Sequence, residues 1–222
     1  MTEKKWPVSA ILIDLDGTLL DSAPDMIVAA NAALTEAGVS NLSDDEIISM
    51  LGKGVRYLAI SSMEKALGRK LDASEENAVV ERFKKHYHQS NGRHTTVFEG
   101  VLAGLKAFKE AGFKLACVTN KIAEFTEPLL ERCGISVYLD LIVSGDTTDR
   151  QKPDPEPVWY AMKMLGAEKA VMIGDSVNDI QAAKNANIPA ICVTYGYGGK
   201  PAVEADAYVA DFLAVLPLVE RI

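Results

Sequence analysis

The chain has 222 residues and a formal net charge of −8, and 48% of its residues are hydrophobic. This length allows one large domain or one domain with an insertion, and the composition allows a sizeable core. The acidic balance disfavours nucleic acid or a membrane surface as a partner. No apolar run approaches the roughly 18 residues of a membrane span or forms a signal-peptide core, and the three cysteines have no metal spacing. We therefore expect a soluble, cytoplasmic protein.

The first half of the chain predicts one strand followed by a long helical segment. Residues 8–13 read as a buried strand, because polar and apolar residues do not alternate in this run. Residues 22–90 read as helical with no strand between the helices. Helices are predicted at residues 24–38, 55–67 and 74–88. Another helix is predicted to begin at Ser43, which forms a capping box with Glu46.

Strands and helices alternate after residue 90, which is typical of a parallel sheet covered on both faces. The strands are predicted at residues 114–118, 141–144, 170–173, 190–193 and 208–209. Helices are predicted at residues 101–111, 122–133, 155–165 and 177–186 and at the end of the chain. The first strand belongs with this second part. The sequence thus predicts an α/β fold, in which a Rossmann-like parallel sheet core carries an inserted α-helical domain over its strand ends.

Two carboxylates follow the first strand in the stretch Asp14-Leu15-Asp16-Gly17-Thr18. Because side chains alternate along an extended chain, Asp14 and Asp16 leave it on the same side. Such a pair stays ionised only if a cation or hydrogen-bond donors offset the repulsion. A hard divalent ion such as Mg²⁺ suits this site; the alternative is a solvated strand end.

Polar residues also follow the second core strand. Thr119 and Asn120 offer a hydroxyl and an amide beside the start of the next helix, where phosphate oxygens bind well. A plain helix-capping role explains the same residues. Lys152 lies in a later strand-to-helix loop, and Pro153 restricts its backbone to an extended form. Its ammonium is a compact cation that suits phosphate, although a lone lysine is usually surface charge.

The fourth loop follows the strand at residues 170–173. Asp175 stands at the strand end, and Asp179 lies in the first turn of the next helix, where an acid also stabilises the helix terminus. Ligands of open α/β sheets bind at the carboxyl ends of the strands. We therefore expect Asp175 to join Asp14 and Asp16 in a carboxylate cage.

Together these loops resemble the haloacid dehalogenase superfamily over nearly the whole chain. The motifs that carry the resemblance are Asp14-Leu15-Asp16-Gly17-Thr18, Thr119, Lys152-Pro153 and Gly174-Asp175 with Asp179. Within the superfamily the chain is most similar to phosphoglycolate phosphatases, through residues 116–121, 143–147 and 194–198. The resemblance implies a core domain of residues 1–20 and 91–222 and an α-helical cap domain of residues 21–90.

The resemblance implies a Mg²⁺-dependent phosphatase that hydrolyses a small phosphate monoester, with 2-phosphoglycolate as the expected substrate. It implies that Asp14 attacks phosphorus to form an aspartyl phosphate. It implies that Asp16 protonates the leaving oxygen and then activates water. Asp14, Asp175 and the backbone carbonyl of Asp16 would hold Mg²⁺, with Asp179 orienting that set from outside.

The core and the cap are expected to recognise different parts of the substrate. Thr119, Asn120 and Lys152 would stabilise charge on the transferring phosphoryl group. Substrate choice is expected in the cap, at Gly52, Gly54 and Arg56. The two glycines allow close backbone approach, and Arg56 is a candidate partner for a substrate carboxylate, with an ordinary solvated charge as the alternative.

Other readings stay open on the sequence alone. A sugar-phosphate mutase, another phosphatase of the superfamily or a pyrophosphatase would use the same core, whereas a receiver-like binding module would lack the insertion. His86 and His88 form a pair on a predicted helix, but residues two apart do not share a helix face. Tyr195 and Tyr197 are expected to be structural. We expect a monomer or homodimer whose partner is a small phosphate ester, with no nucleic acid and no membrane.

Overall fold

The structure, a computed structural model, describes residues 5–199 and 203–222. The strands within these ranges are β1 (Trp6–Val8), β2 (Ala10–Ile13), β3 (Leu20–Asp21), β4 (Thr96–Val97), β5 (Lys114–Val118), β6 (Leu141–Val143), β7 (Ala170–Gly174), β8 (Ala190–Val193), β9 (Ala207–Val209) and β10 (Val219–Arg221). Six of them form one sheet in the order β6-β5-β2-β7-β8-β9, and every neighbouring pair is parallel. The predicted parallel sheet is confirmed.

The described helices divide into an inserted group and a sheet-covering group. The inserted helices are α1 (Ala23–Glu36), α2 (Asp44–Ile48), α3 (Gly54–Leu67) and α4 (Ala73–Ser90). The covering helices are α5 (Val101–Glu110), α6 (Ala123–Arg132), α7 (Glu156–Leu165) and α8 (Val177–Asn185). Short 3₁₀ segments lie at Ser136–Tyr138 and Phe212–Leu218. The α/β architecture predicted from the alternation after residue 90 is confirmed.

Strand β2 is apolar throughout because both of its faces are buried. Ile11 and Ile13 pack into the hydrophobic cluster on one face of the sheet, and Ala10 and Leu12 pack into the cluster on the other face. All four residues are fully buried. A strand that is covered on both faces gains from apolar residues at every position, so it loses the alternation of a half-exposed strand.

The inserted helices have a hydrophobic cluster of their own, which includes Leu58, Phe83 and Tyr87. Strands β3 and β4 pair antiparallel and form the two connections between this helical group and the sheet. The Asp25 carboxylate in α1 accepts hydrogen bonds from three backbone amides and one hydroxyl of the returning connection. The insertion is thus tied firmly to the core where the chain enters and leaves it.

The ends of the chain differ from the prediction. The single strand expected at residues 8–13 is divided in two, and residues 6–8 form β1, which pairs in parallel with β10. The expected terminal helix is a 3₁₀ segment that contains Pro217. Proline lacks an N–H donor and disfavours the α conformation in the residue before it. No helix in the described part of the chain is long and apolar enough to cross a membrane.

The register of the sheet decides where the polar loops meet. Ile13 in β2 lies level with Cys117 in β5 and with Ile173 in β7. The chain adds β5 and β6 on one side of β2, and β7, β8 and β9 on the other. Such a reversal of strand order opens a crevice at the carboxyl edge, where ligands of α/β sheets bind.

Candidate active site

Asp14 and Lys152 form the centre of this crevice. The Lys152 ammonium lies 2.8 Å from Asp14 Oδ1 and 2.6 Å from Asp179 Oδ1, and it donates to the Val118 carbonyl at 2.6 Å. Burial lowers the pKa of Lys152, but the Asp14 and Asp179 carboxylates outweigh it, and the pKa lies above its ordinary value. Lys152 is therefore a fixed positive charge, and its three N–H donors are all engaged.

Asp14 is a buried acid in a crowded electrostatic environment. Burial raises the pKa of Asp14 well above its ordinary value, and the carboxylates of Asp179 and Asp175 add to the rise, against the opposing effect of Lys152. One ammonium group does not compensate three neighbouring carboxylates. A bound cation would relieve this repulsion and keep Asp14 ionised.

Asp175 is held by donors from two loops. Its Oδ1 accepts from the Thr18 hydroxyl at 3.2 Å, and its Oδ2 accepts from the amides of Tyr197 and Gly198 at 2.8 and 3.0 Å. Burial, with the charge of Asp179, raises the pKa of Asp175 to about 6 despite these hydrogen bonds. These donors fix the carboxylate in place beside Asp14.

Asp179 has the contacts of a supporting residue. Its Oδ1 accepts from Lys152, and its Oδ2 accepts from the amide and the hydroxyl of Ser176 at 3.0 and 2.6 Å. It is fully buried. Because each oxygen already has a donor, the Asp179 carboxylate is fixed beside Lys152.

Three carboxylates in this cluster have the arrangement of a hard-metal site. One oxygen each from Asp14, Asp175 and Asp179 lies within 4.8 Å of the other two. Oxygen donors of this kind are those that Mg²⁺ takes in proteins. The set shares Asp14 and Asp175 with the predicted carboxylate cage but has Asp179 where the prediction had Asp16, and its oxygen donors suit Mg²⁺.

Asp16 is paired with a lysine that the sequence analysis did not select. Lys121 Nζ lies 2.9 Å from both Asp16 carboxylate oxygens, and the Ser22 hydroxyl also donates to Asp16. Lys121 is buried, in the loop that follows β5. Lys121 shares its strand-end loop with Thr119, so the reasoning applied to Lys152 would have identified it as well.

Asn120 supports the site in a way that differs from the expectation. Its Oδ1 accepts from the Lys152 amide at 2.9 Å, and its Nδ2 donates to the carbonyls of Lys152 and Gly52 at 2.9 and 3.0 Å. These contacts occupy the side-chain amide, which thereby positions the Lys152 backbone rather than a phosphoryl group. Thr119 lines the cavity, and its hydroxyl oxygen accepts from the Lys121 amide at 3.2 Å.

A cavity separates these core residues from the inserted helices. Its core wall includes Asp14, Asp16, Thr119 and Lys121. The facing wall consists of Met26, Leu51, Gly52, Gly54, Val55 and Leu58. Gly52 and Gly54, the candidates for substrate binding from the sequence, thus line this cavity. Gly54 has a φ of 81°, and an added Cβ would lie 3.0 Å from the Asn120 carbonyl oxygen, so this close approach requires glycine.

Arg56 does not reach this cavity. Its guanidinium contacts Glu76 at 2.6 Å and Asn77 at 3.1 Å, on the exposed side of the insertion. A nearby carboxylate on α4 thus draws the side chain away from the site. The structure therefore supports the solvated-charge alternative for Arg56 and gives no contact for a role in substrate binding.

The other residues considered from the sequence have structural contacts. The Tyr195 hydroxyl donates to the Thr18 carbonyl, and the Tyr197 hydroxyl donates to Asp21. His86 and His88 contact two different glutamates, Glu36 and Glu124. Tyr195 and Tyr197 thus brace the loops around the site, and the two histidines do not converge on one point.

The charges of the cluster are unbalanced. Four carboxylates and two ammonium groups meet here, from Asp14, Asp16, Asp175 and Asp179 and from Lys121 and Lys152. The formal excess is therefore two negative charges, which one divalent cation would neutralise. Without a cation this excess would repel an anionic ligand, and a bound divalent cation would remove that repulsion.

Comparison with known proteins agrees with this geometry. The family model of the haloacid dehalogenase-like hydrolases matches residues 11–193. The chain belongs to the haloacid dehalogenase-like hydrolase family. The resemblance inferred from the four motifs is therefore confirmed.

Relatives of known sequence and structure span almost the whole chain. A phosphoglycolate phosphatase of Cupriavidus necator is 44% identical, over 98% of this chain and 95% of that protein. One from Thiobacillus denitrificans is 42% identical, over 90% and 89%. The crystal structure of a predicted phosphoglycolate phosphatase from Haemophilus somnus superposes with a TM-score of 0.86 at 28% identity, covering 94% of this chain and 96% of that one. The chain is thus an enzyme, a phosphoric monoester hydrolase, as the motifs predicted.

Proposed function

We propose that this enzyme is a Mg²⁺-dependent phosphatase that hydrolyses 2-phosphoglycolate to glycolate and phosphate through an aspartyl phosphate on Asp14. The observation that carries the proposal is the convergence of Asp14, Lys152 and Asp175 at one edge of the sheet, beneath a cavity closed by the inserted helices. The relatives named as phosphoglycolate phosphatases support the choice of substrate.

Asp14 is the nucleophile in this proposal. A bond forms between a carboxylate oxygen of Asp14 and phosphorus while the bond from phosphorus to the ester oxygen breaks. The electron pair left on that oxygen takes a proton from Asp16, which releases glycolate. Water then attacks phosphorus and gives a proton to Asp16 while the bond from phosphorus to the Asp14 oxygen breaks, which releases inorganic phosphate and regenerates the Asp14 carboxylate.

Lys152 is proposed to stabilise the negative charge on the transferring phosphoryl group, and its neighbours fix its position. Its ammonium is anchored by Asp14 and Asp179, and Asn120 fixes its backbone. A positive charge set in advance beside the reacting carboxylate stabilises the transferring group without rearrangement during the step. Thr119, which lines the same cavity, is proposed as a hydroxyl donor to a phosphoryl oxygen.

The metal site in this proposal consists of Asp14, Asp175 and the backbone carbonyl of Asp16, with Asp179 outside them. Bound Mg²⁺ would draw negative charge from the phosphoryl oxygens and offset the repulsion between Asp14 and the incoming anion. The excess of two negative charges in the cluster supports this choice.

The inserted helices are proposed as a cap domain of residues 21–90 that selects the substrate, over a core of residues 1–20 and 91–222. The core loops meet the phosphoryl group that every phosphate ester shares. The cap contributes Met26, Leu51, Val55 and Leu58 to the opposite wall of the cavity. That apolar wall suits a short organic group better than a sugar, whose hydroxyls it would leave without partners.

Two measurements test this function. Release of inorganic phosphate from a panel of esters should be greatest for 2-phosphoglycolate, should require Mg²⁺ and should stop with EDTA. Acid quenching during turnover of substrate with radiolabelled phosphate should leave label on the wild-type protein that hydroxylamine removes, and none on Asp14→Asn. Full activity after exhaustive chelation, or label on Asp14→Asn, would refute the metal site or the nucleophile. Isomerised sugar phosphate in place of free phosphate would instead identify a mutase.

A further inference from the structure

The Lys121 ammonium is a buried cation that the phosphoryl-transfer steps above do not use. It lines the cavity, whereas the donors of Lys152 are already engaged by Asp14, Asp179 and the Val118 carbonyl. Among the described residues that line this cavity, Lys121 is the one with a positive charge. It is therefore the group available to a second anionic part of the substrate.

Three neighbours hold the ammonium in position. Both Asp16 oxygens lie 2.9 Å from Nζ, the Tyr87 ring centroid lies 5.1 Å away, and Met26 Sδ lies 4.0 Å away. The Asp16 carboxylate compensates the charge of this buried ammonium. Tyr87 and Met26 belong to inserted helices and Asp16 to the core, so Nζ lies at the junction of the two.

The ammonium retains capacity for one more strong hydrogen bond. It has three N–H donors, of which the two Asp16 oxygens engage two. The remaining contacts are with Tyr87 and with the thioether of Met26, a weak acceptor that a carboxylate oxygen would readily replace. The site is thus prepared for an anion without breaking the pair with Asp16.

Asp16 also decides which part of a substrate would lie beside Lys121. In the proposed function Asp16 gives its proton to the ester oxygen. The Lys121 ammonium, which donates hydrogen bonds to Asp16, therefore lies next to the leaving group. In 2-phosphoglycolate a single methylene separates the ester oxygen from the carboxylate. That carboxylate therefore lies within reach of the Lys121 ammonium when the ester oxygen meets Asp16.

We propose that Lys121 binds the carboxylate of the leaving group and makes the enzyme selective for phosphate esters that carry a carboxylate one carbon from the ester oxygen. This proposal rests on the proposed phosphatase function. It assigns to Lys121 the carboxylate-binding role that the sequence suggested for Arg56, whose guanidinium contacts Glu76 and Asn77 instead.

The wild-type enzyme gives the first test, with 2-phosphoglycolate and its neutral amide, phosphoglycolamide, as matched substrates. A charge-assisted hydrogen bond predicts that kcat/KM for the acid exceeds that for the amide by about 10- to 100-fold. Equal values would overturn the carboxylate role while leaving the phosphatase function intact. Failure to hydrolyse either compound, or simple esters such as p-nitrophenyl phosphate, would refute the phosphatase function instead.

Substitution of Lys121 then tests whether this residue causes the preference for the acid over the amide. Lys121→Met removes the charge at similar length, so the ratio of the two kcat/KM values should fall to about 1, although both rates should drop because Asp16 loses its partner. Arg56→Met is the matched control and should keep the wild-type ratio. A ratio that survives in Lys121→Met, or disappears in Arg56→Met, overturns the proposal.

A binding measurement separates recognition from the support of Asp16 and from folding. Asp16→Asn and the double variant Asp16→Asn with Lys121→Met are compared by calorimetry with both compounds. Removing both members of a buried ion pair leaves no unpaired charge, which favours a folded protein even if Lys121→Met alone unfolds. The preference for the acid should persist in the single variant and vanish in the double variant. Equal preferences in the two would show that Lys121 has only a structural role.

Discussion

Asp175→Asn should make the metal-free enzyme more stable at neutral pH. In the native site, burial and the charge of Asp179 raise the pKa of Asp175 from 3.8 to about 6. Asparagine has nearly the same shape and removes the charge. Its carbonyl oxygen can still accept from the amides of Tyr197 and Gly198, and its amino group can donate to the Thr18 hydroxyl, which now accepts a hydrogen bond instead of donating one. The substitution therefore perturbs mainly the electrostatics.

The sign of the effect follows from proton linkage. Because the native state binds the Asp175 proton more tightly than the unfolded chain, ionisation favours unfolding as the pH rises. The destabilisation begins near the unfolded pKa of 3.8, grows up to the native value of about 6 and is constant above it. A pKa rise of this size corresponds to about 3 kcal/mol at neutral pH, of which about 2 kcal/mol develops between about pH 4.5 and 7.5.

Urea unfolding of chelated protein at these two pH values measures the effect. The free energy of unfolding of Asp175→Asn minus that of wild type should be larger by about 2 kcal/mol at the higher pH, which means that the variant gains stability relative to wild type. Loss of the Asp175 charge also reduces the rise in the pKa of Asp14, which acts in the same direction. Added Mg²⁺ should stabilise wild type more than the variant, because the variant lacks a proposed ligand. If the free energy of unfolding changed with pH by the same amount in the two proteins, this reasoning would be refuted.

Three further substitutions test single parts of the site. Asp14→Asn should abolish phosphate release and keep the fold, since an amide does not attack phosphorus; wild-type turnover would exclude Asp14 as nucleophile. Asp16→Ala should lower the rate by roughly 10²–10⁴, with a smaller loss for p-nitrophenyl phosphate, whose leaving group needs no proton; equal losses would exclude the acid role. Gly196→Ala would place a Cβ 2.3 Å from the Gly17 carbonyl oxygen and 2.4 Å from Asp175 Cβ. It should cost about 1–3 kcal/mol in urea unfolding and weaken Mg²⁺ binding in a titration; unchanged values would show that this packing is dispensable.

The sequence by itself was enough to predict the sheet and the edge at which the site lies. Buried strands of a parallel sheet are apolar throughout, and the residues that end them stand out as polar. Asp14 and Asp175 follow β2 and β7, and Thr119 follows β5. Because parallel strands end at a common edge, local patterns in distant parts of the chain predict one shared location.

Only the tertiary structure decided which side chains pair at that edge. Lys121 and Asp16 are 105 residues apart, and no local pattern relates them. The side-chain amide of Asn120 is occupied by Lys152 and Gly52 through contacts between separate loops. Arg56 points outward because α4 packs beside α3 and presents Glu76.

The physical reason lies in the reach and freedom of these groups. Backbone periodicity is set by neighbours in sequence, whereas a long charged side chain has several low-energy rotamers of similar energy. Its final direction is chosen by the charge it meets after packing, as Lys121 meets Asp16 and Arg56 meets Glu76. The strand ends could therefore be predicted from the chain, but the assignment of each cation to its partner required the folded molecule.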